Sequence, residues 1–565
     1  MVFEMISWVY ISLICLIWGN LILKLLPGIN KETAVSFPII CFLGMIIIGT
    51  ISFYISLFIP LFLAVKLAIQ IPAIMILFKS ANRKELIKRL KKPFIDFSIL
   101  DYIFLGVILL MILFLGSSRI IHPDTLNYHV FSTEIFDKYG TIPGLANLKP
   151  EFGFQSIWFS ATAFFDFPLF RSGPLFPLNG CAMSWVSIFL VSKGIAKKDN
   201  LSDSSFLNSG IWYLALILFC ILSWTQIRLT TSSLSPDFIA AISILLSFYF
   251  FTGQKDLVTK ESFDLLAAFF SIIAISIKLS AVPVILIPFL IIVNGIIRKR
   301  LLFTGCIILS IVLLLTPVIA RNIITTGYPF YPSLFGAFHS YDWNVGMPEV
   351  LKFQYYITSY ARYPILRINA ISEYNQSFTS WLPFWWRHLY MIDKTIILII
   401  AFGVLVDMFF FRTWIRSYSL RTFAALFVAV TGVLFWFVEA PDPRFGTGFL
   451  IPLIYFQYAP FIKNINDLSD RYLFLVMDRI KYISTFFIII YIGYRAIYFF
   501  KPRQFVFPEG IDYNSLIQPG CDGQIKKILM DNTESIPQLP DSCRNFIFRG
   551  RTIHQGFKPA LWLLH

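Results

Sequence analysis

Residues 99–129 read ILDYIFLGVILLMILFLG followed by SSRIIHPDTLNYH, and this stretch decides the fold. From Ile99 to Gly116 the only charge is Asp101. As a helix this run is long enough to cross a hydrocarbon core about 30 Å thick, because each residue adds about 1.5 Å. Immediately after it come His122, Asp124, Tyr128 and His129. An apolar run that delivers ionisable side chains just beyond its end is the pattern of a membrane span that carries a working loop.

The same apolar pattern recurs along all 565 residues, of which 57% are apolar or aromatic and 14% charged. An ordinary soluble domain has roughly 45–50% and about 25%. That excess must face lipid, where backbone groups find partners only within helices or closed barrels. Long apolar runs select helices, so the expected fold is an all-α polytopic membrane protein. About 13–14 spans of roughly 20 residues are expected. They are placed at 5–26, 37–57, 60–78, 99–116, 174–193, 209–225 and 236–252. The series continues with 263–279, 281–297, 301–320, 394–411, 420–438, 447–462 and 482–500. Soluble enzymes, secreted proteins and single-anchor receptors are excluded. The first run, 5–26, has no basic segment before it and reads as a retained span.

The net charge is +15, from 47 Lys and Arg against 32 Asp and Glu. Nucleic acid is not the expected partner, because the basic residues fall where the positive-inside rule puts them. Lys79, Arg83, Lys84, Lys88, Arg89, Lys91 and Lys92 mark one loop as cytoplasmic. Alternation from there puts Lys193/Lys197/Lys198, Arg298/Lys299/Arg300, Arg412/Arg416/Arg421 and Lys463/Arg471/Arg479/Lys481 on the same side. The long segments 117–173, 321–393 and 501–565 then lie outside. This gives a transmembrane domain over 1–500 and a small outer C-terminal domain over 501–565.

Cys15, Cys41, Cys181, Cys220 and Cys306 lie within apolar runs and read as packing residues. Cys521 and Cys543 lie in the polar tail, where an oxidising compartment permits a disulfide between them. No Cys/His spacing of a zinc site is present.

Asp124, with Tyr128 four residues on, has two readings. It is a general base at the membrane boundary, or it caps a juxtamembrane helix that starts at Pro123-Asp124. Asp237, after Ser235-Pro236, reads first as a helix start. Lys278 either snorkels to the interface or binds an anionic headgroup, and Arg321-Asn322 at a span exit has the same two readings. Arg444, near Glu439 and Asp442, is either a bidentate phosphate ligand or part of an ion-pair cluster. Trp381, Trp385 and Trp386 in the second outer segment either stack on sugars or belong to an interface-lying helix.

Large outer segments, an acid just after an early span and many spans together resemble the GT-C class of glycosyltransferases. The run Asp124-Thr-x-x-Tyr128-His129, Gly144-Leu-x-Asn147-Leu, Phe154-Gln-Ser-x-Trp158-Phe is similar to a family of uncharacterised bacterial multi-pass proteins. So are Ser235-Pro236-Asp237, Lys278, Arg321-Asn322 with Gly327-Tyr328-Pro329, Ala440-Pro441-Asp442-Pro443-Arg444-Phe445 and the tail with its cysteines. The resemblance implies a GT-C-like helix bundle in a bacterial cytoplasmic membrane. It also implies transfer of a sugar from a polyprenyl phosphate or pyrophosphate to a glycan, lipid or protein acceptor outside the cytoplasm, with inversion. Asp124 matches the general base of the class, although Thr125 stands where many members have a second acid.

On this reading Arg444, with Lys278 and Arg321, holds the donor phosphate. His122, Tyr128, His129 and Asp237 are candidate active-site partners. A net positive local potential would favour the anionic donor. No cofactor is required by the sequence, and a divalent metal is left open. The rivals are a transporter or flippase of lipid-linked glycans, against which the clustering of ionisable residues at outer span ends argues, and a polysaccharide polymerase.

Overall fold

Ser98 opens the decisive helix with a reciprocal cap. Its Oγ accepts from the Asp101 backbone N–H at 3.3 Å, and Asp101 Oδ2 accepts from the Ser98 backbone N–H at 2.9 Å. Two of the N–H groups that a helix start leaves without partners are satisfied this way. The helix then runs Ile99–Gly116, as the apolar run requires.

The computed structural model describes residues 1–25, 35–166, 177–195, 224–253, 257–337, 341, 343–363, 376–411, 418–466 and 470–506. Among these, regular structure is helical throughout. The first ten α-helices are α1 Val2–Leu25, α2 Phe37–Ser56, α3 Leu63–Leu77, α4 Ser80–Lys91, α5 Ile99–Gly116, α6 Val130–Lys138, α7 Ile157–Phe164, α8 Pro177–Ile195, α9 Trp224–Thr230 and α10 Asp237–Thr252. They are followed by α11 Leu257–Ile277, α12 Leu286–Ile297, α13 Leu301–Thr326, α14 Met347–Arg362, α15 Phe378–His388, α16 Met391–Phe409, α17 Leu420–Glu439, α18 Pro443–Asn466 and α19 Asp470–Phe499.

The chain is a helical polytopic membrane protein. Seven segments are long and apolar enough to cross a membrane, or eight if the pair Leu63–Leu77 and Asn82–Phe94, bent by 94°, is one span. This is about half the number expected from hydropathy. Five helices at expected spans, α8, α10, α11, α16 and α18, are not among the seven: α10 has 16 residues, α11 includes Glu261 and Asp264, and α16 includes Asp393, Lys394 and Asp407. The expected span 281–297 begins as a 3-10 turn over Leu279–Ile285. Expected span 209–225 lies outside the described residues except for its last two, as does Cys220. The tail beyond 506, with Cys521 and Cys543, also lies outside them.

Burial sorts centre from periphery. α2 is buried over most of its length, whereas Lys481–Phe499 is buried almost nowhere, so α2 is central and the last helix turns most of its surface outward. α1 meets α2 backbone to backbone. A Cβ added at Gly19 would lie 1.9 Å from Ile40 O, and one at Gly44 would lie 1.8 Å from Cys15 O. Small residues that let helices approach this closely are the usual device where lipid removes the hydrophobic drive. Cys15, Cys41 and Cys181 are buried free thiols, in keeping with a packing role.

The long segments are themselves helical. The first holds α6 and α7, and the second holds the end of α13, then α14 and α15. α13 stops because Gly327 adopts φ +88°, and its N–H bonds Ile323 O at 2.8 Å. A side chain there would also collide with Asn344.

Candidate functional site

The turn after α5 leads into a π-helical turn over Thr125–His129, with Asp124 as its flanking residue. The Asp124 side chain makes no capping bond. Its Oδ2 instead accepts from Arg444 Nη1 at 3.1 Å, across 320 positions of sequence. The simple capping reading of Asp124 therefore fails. π-turns of this kind are frequent at functional sites.

Arg444 is held from its own helix start. Its Nε donates to Asp442 Oδ2 and its backbone N–H to Asp442 Oδ1, both at 3.0 Å. Among the described residues its Nη2 has no hydrogen-bond partner. The Asp442 loop is in turn fixed by indoles: Trp385 Nε1 donates to Pro441 O at 2.8 Å and Trp436 Nε1 to Asp442 O at 2.7 Å. Gly446 is needed here because a Cβ would press on the Trp436 ring at 2.7 Å. Glu439, the third member of the expected cluster, is exposed and takes no part in the Arg444 ion pairs.

The second half of the site comes from the starts of α10 and the 3-10 turn before α12. Lys278 Nζ donates to Asp237 Oδ1 in an ion pair whose carboxylate is 5% exposed. Lys278 also lies 3.7 Å from the centre of the Phe445 ring, next to Arg444. Asn179 of α8, which sequence reading passed over, secures the turn before Asp237 by donating to Thr230 O at 2.9 Å and Ser235 O at 3.1 Å. A lone Asn in an apolar run gave no signal of that role.

His122 is fully buried, and among the described residues neither ring nitrogen has a hydrogen-bond partner. Burial, opposed by Asp124, holds it below the ordinary histidine value. His129 bonds Thr125 Oγ1 through Nδ1 at 3.1 Å and lies 5.6 Å from His122, centroid to centroid. Burial and then His122 push His129 down to about 3. Asp124 is 29% exposed. Burial alone would raise its carboxyl, but Arg444, His122 and His129 overcome that and hold it below the usual carboxylate range. Tyr128 packs edge-on against His129 at 4.3 Å, and burial followed by Asp124 raises its hydroxyl well above the usual value. Tyr360 of α14, a further residue that sequence reading missed, is also within electrostatic reach of Arg444, Asp124 and Asp442.

The fold thus brings together Asp124, His122, Tyr128, His129, Asp237, Lys278 and Arg444. Arg321 does not join them. Its Nη1 donates to Ser56 Oγ at 2.9 Å and its Nη2 to Gly140 O at 2.7 Å, and its guanidinium lies 3.6 Å from the Phe136 ring centre. It clamps α13 to the end of α2, with both terminal nitrogens committed there. The expected positive potential also needs correction. Asp124, Asp237 and Asp442 set three carboxylates against Lys278 and Arg444, so with neutral histidines the site is net negative. Among the described residues no group of three or more His, Cys, Asp or Glu is arranged to hold a metal ion.

Beside the Arg444 loop lies an apolar cavity of about 500 Å³ between α15, α16 and α17. Pro383, Trp385, Trp386, Val433 and Trp436 help to line it, so the indoles that fix Pro441 and Asp442 also form its wall. Trp381 and Trp385 are buried in the protein, which makes them packing residues rather than exposed stacking platforms.

A family model described as Domain of unknown function (DUF8201) matches residues 1–451. The chain belongs to this family. All seven clustered residues fall within the DUF8201 match, which ends shortly after Arg444, whereas the cysteine-bearing tail lies beyond it. No curated protein and no solved structure is matched by the chain.

Proposed function

We propose that this DUF8201 protein is a membrane-embedded, GT-C-like glycosyltransferase that moves a sugar from a polyprenyl-phosphate or -pyrophosphate donor to an acceptor on the extracytoplasmic side. The observation that carries the reading is the Asp124–Arg444 pair at 3.1 Å, set beside an apolar cavity. A carboxylate suited to take a proton, a guanidinium suited to hold a phosphate and a slot suited to hold a hydrocarbon chain meet at one place.

In this reading the donor chain lies in the Trp385/Trp436 cavity and its phosphate engages Arg444 Nη2. Once the phosphate competes for the guanidinium, the hold of Arg444 on Asp124 weakens and the carboxylate becomes a better base. Asp124 then takes the proton of the acceptor hydroxyl. The acceptor oxygen attacks the anomeric carbon from the face opposite the phosphate, the carbon–oxygen bond to the phosphate breaks, and the configuration inverts. Arg444 and Lys278 stabilise the departing phosphate. The partly buried setting strengthens both interactions.

The test is release of free polyprenyl phosphate, followed by mass spectrometry. Membranes containing the wild type, Asp124→Asn or Arg444→Met at equal levels are supplied with a lipid extract from the source cells. Release by the wild type that both variants lose supports the reading. Equal release by all three, or none by any, overturns it.

A further inference from the structure

We propose that His122 is the proton store of this site, taking up a proton when a phosphate monoester occupies it. The inference rests on the transferase reading, and it gives a role to a site residue whose polar atoms no hydrogen bond explains. A buried polar group without a partner carries its full desolvation cost. Among the described residues both ring nitrogens of His122 are buried and unpaired, while every charged member of the cluster has a partner. The groups that face it are Asp124, Arg444, Asp237 and Lys278, with the His129 ring at 5.6 Å.

Charge supplies the second argument. With neutral histidines the three carboxylates outnumber the two cations. Transfer turns a singly charged phosphodiester into a doubly charged monoester, so the product would add a second negative charge to a site that is already negative. The proton that the acceptor hydroxyl gives to Asp124 balances this if it passes on to His122, two positions away. The sugar–phosphate bond has then broken, the sugar–acceptor bond has formed, Asp124 is ionised again, and an imidazolium stands beside the dianion. His129 suits the role less well, because its Nδ1 is engaged with Thr125 whereas both nitrogens of His122 lack partners among the described residues.

The test is isothermal titration calorimetry of the purified full chain at pH 8, in two buffers of different ionisation enthalpy. The probes are dodecyl phosphate, methyl dodecyl phosphate and inorganic phosphate. A phosphate monoester has its second pKa near 6, so the monoester enters almost fully dianionic. The wild type is expected to take up close to one proton with dodecyl phosphate and none with the diester. Its affinity for the monoester should weaken toward tenfold per pH unit between pH 7 and 9. His122→Asn should bind dodecyl phosphate with no proton uptake and a flat pH dependence, and His122→Gln serves if the Asn variant fails to fold. Inorganic phosphate matching dodecyl phosphate in proton uptake and affinity would assign the site to free phosphate rather than a lipid headgroup, and would overturn the donor reading. Binding of dodecyl phosphate with equal proton uptake by the wild type and both variants overturns the His122 inference alone. No binding by the wild type overturns both.

Discussion

Replacing Lys278 by Met should expose how the site is held together. The Asp237 carboxylate is 5% exposed and its partner ammonium 23%. Two unit charges about 4 Å apart attract by about 4 kcal/mol at an effective dielectric constant near 20. Removing one partner of a buried pair costs about 3–5 kcal/mol, because the remaining charge is stranded. Water can reach the lysine side, so Lys278→Met should cost about 3 kcal/mol. Asp237→Asn combined with Lys278→Met removes both charges. It should cost only about 1 kcal/mol, mostly from the lost contact between the ammonium and the Phe445 ring. The assay is SDS-driven unfolding of the purified protein in mixed micelles, with Asp237→Asn alone completing the double-mutant cycle. A single-variant cost below about 0.5 kcal/mol, or costs that simply add in the double variant, would refute the buried-pair reasoning.

Other consequences are equally open to measurement. Gly44→Ala would drive a methyl into Cys15 O, so it should lower the melting temperature by an amount matching about 1–3 kcal/mol of overpacking or more, read by thermal unfolding in detergent. Arg321→Met should destabilise by a similar amount through loss of the Ser56 and Gly140 bonds yet leave dodecyl phosphate affinity within about twofold, whereas Arg444→Met should weaken that affinity at least about tenfold, the equivalent of one 1.4 kcal/mol interaction. Val433→Trp would fill the apolar cavity. It should weaken binding of dodecyl phosphate by about tenfold without changing that of inorganic phosphate, seen by calorimetry. His129 is pushed below its ordinary value of 6.5 to about 3, so the unfolded chain binds a proton there that the folded chain refuses. Stability should therefore be complete above about pH 7 and fall by up to about 1.4 kcal/mol per pH unit as pH drops below 6.5, and unfolding of His129→Asn should show a shallower slope.

The spans could be read because lipid imposes one rule, long uncharged helices, and Ile99–Gly116 and Phe37–Ser56 obey it openly. The count was harder to read, because helices inside a large bundle need not be apolar on every side: α3 buries Lys66 against Asp137 at 2.5 Å, and α11 buries Asp264 against Arg421. Of the site, Asp124 and Arg444 stood out as ionisable residues at span ends, but nothing local foretold that they pair across 320 positions. Asp237 resembled an ordinary helix start, and only the position of Lys278 in space turns it into half of an ion pair. Arg321 is the converse case. A guanidinium at a span exit has the same sequence signature whether it waits for a phosphate or ties two helices together, and its partners, a serine hydroxyl and a glycine carbonyl, leave no mark in the sequence. The π-helical turn at Thr125–His129 was likewise hidden, since its residues fit a regular helix equally well.

The central claim, that Asp124 is the base of a sugar transfer, is tested most directly in cells. Surface glycans and glycolipids of a deletion strain are profiled by mass after complementation with the wild type or with Asp124→Asn at matched membrane levels. The asparagine keeps the size of the side chain and removes the basic carboxylate. The account predicts that one sugar missing from the deletion strain returns with the wild type and stays missing with Asp124→Asn. A profile fully restored by Asp124→Asn would contradict it and move the transport of lipid-linked glycans ahead as the reading of this site.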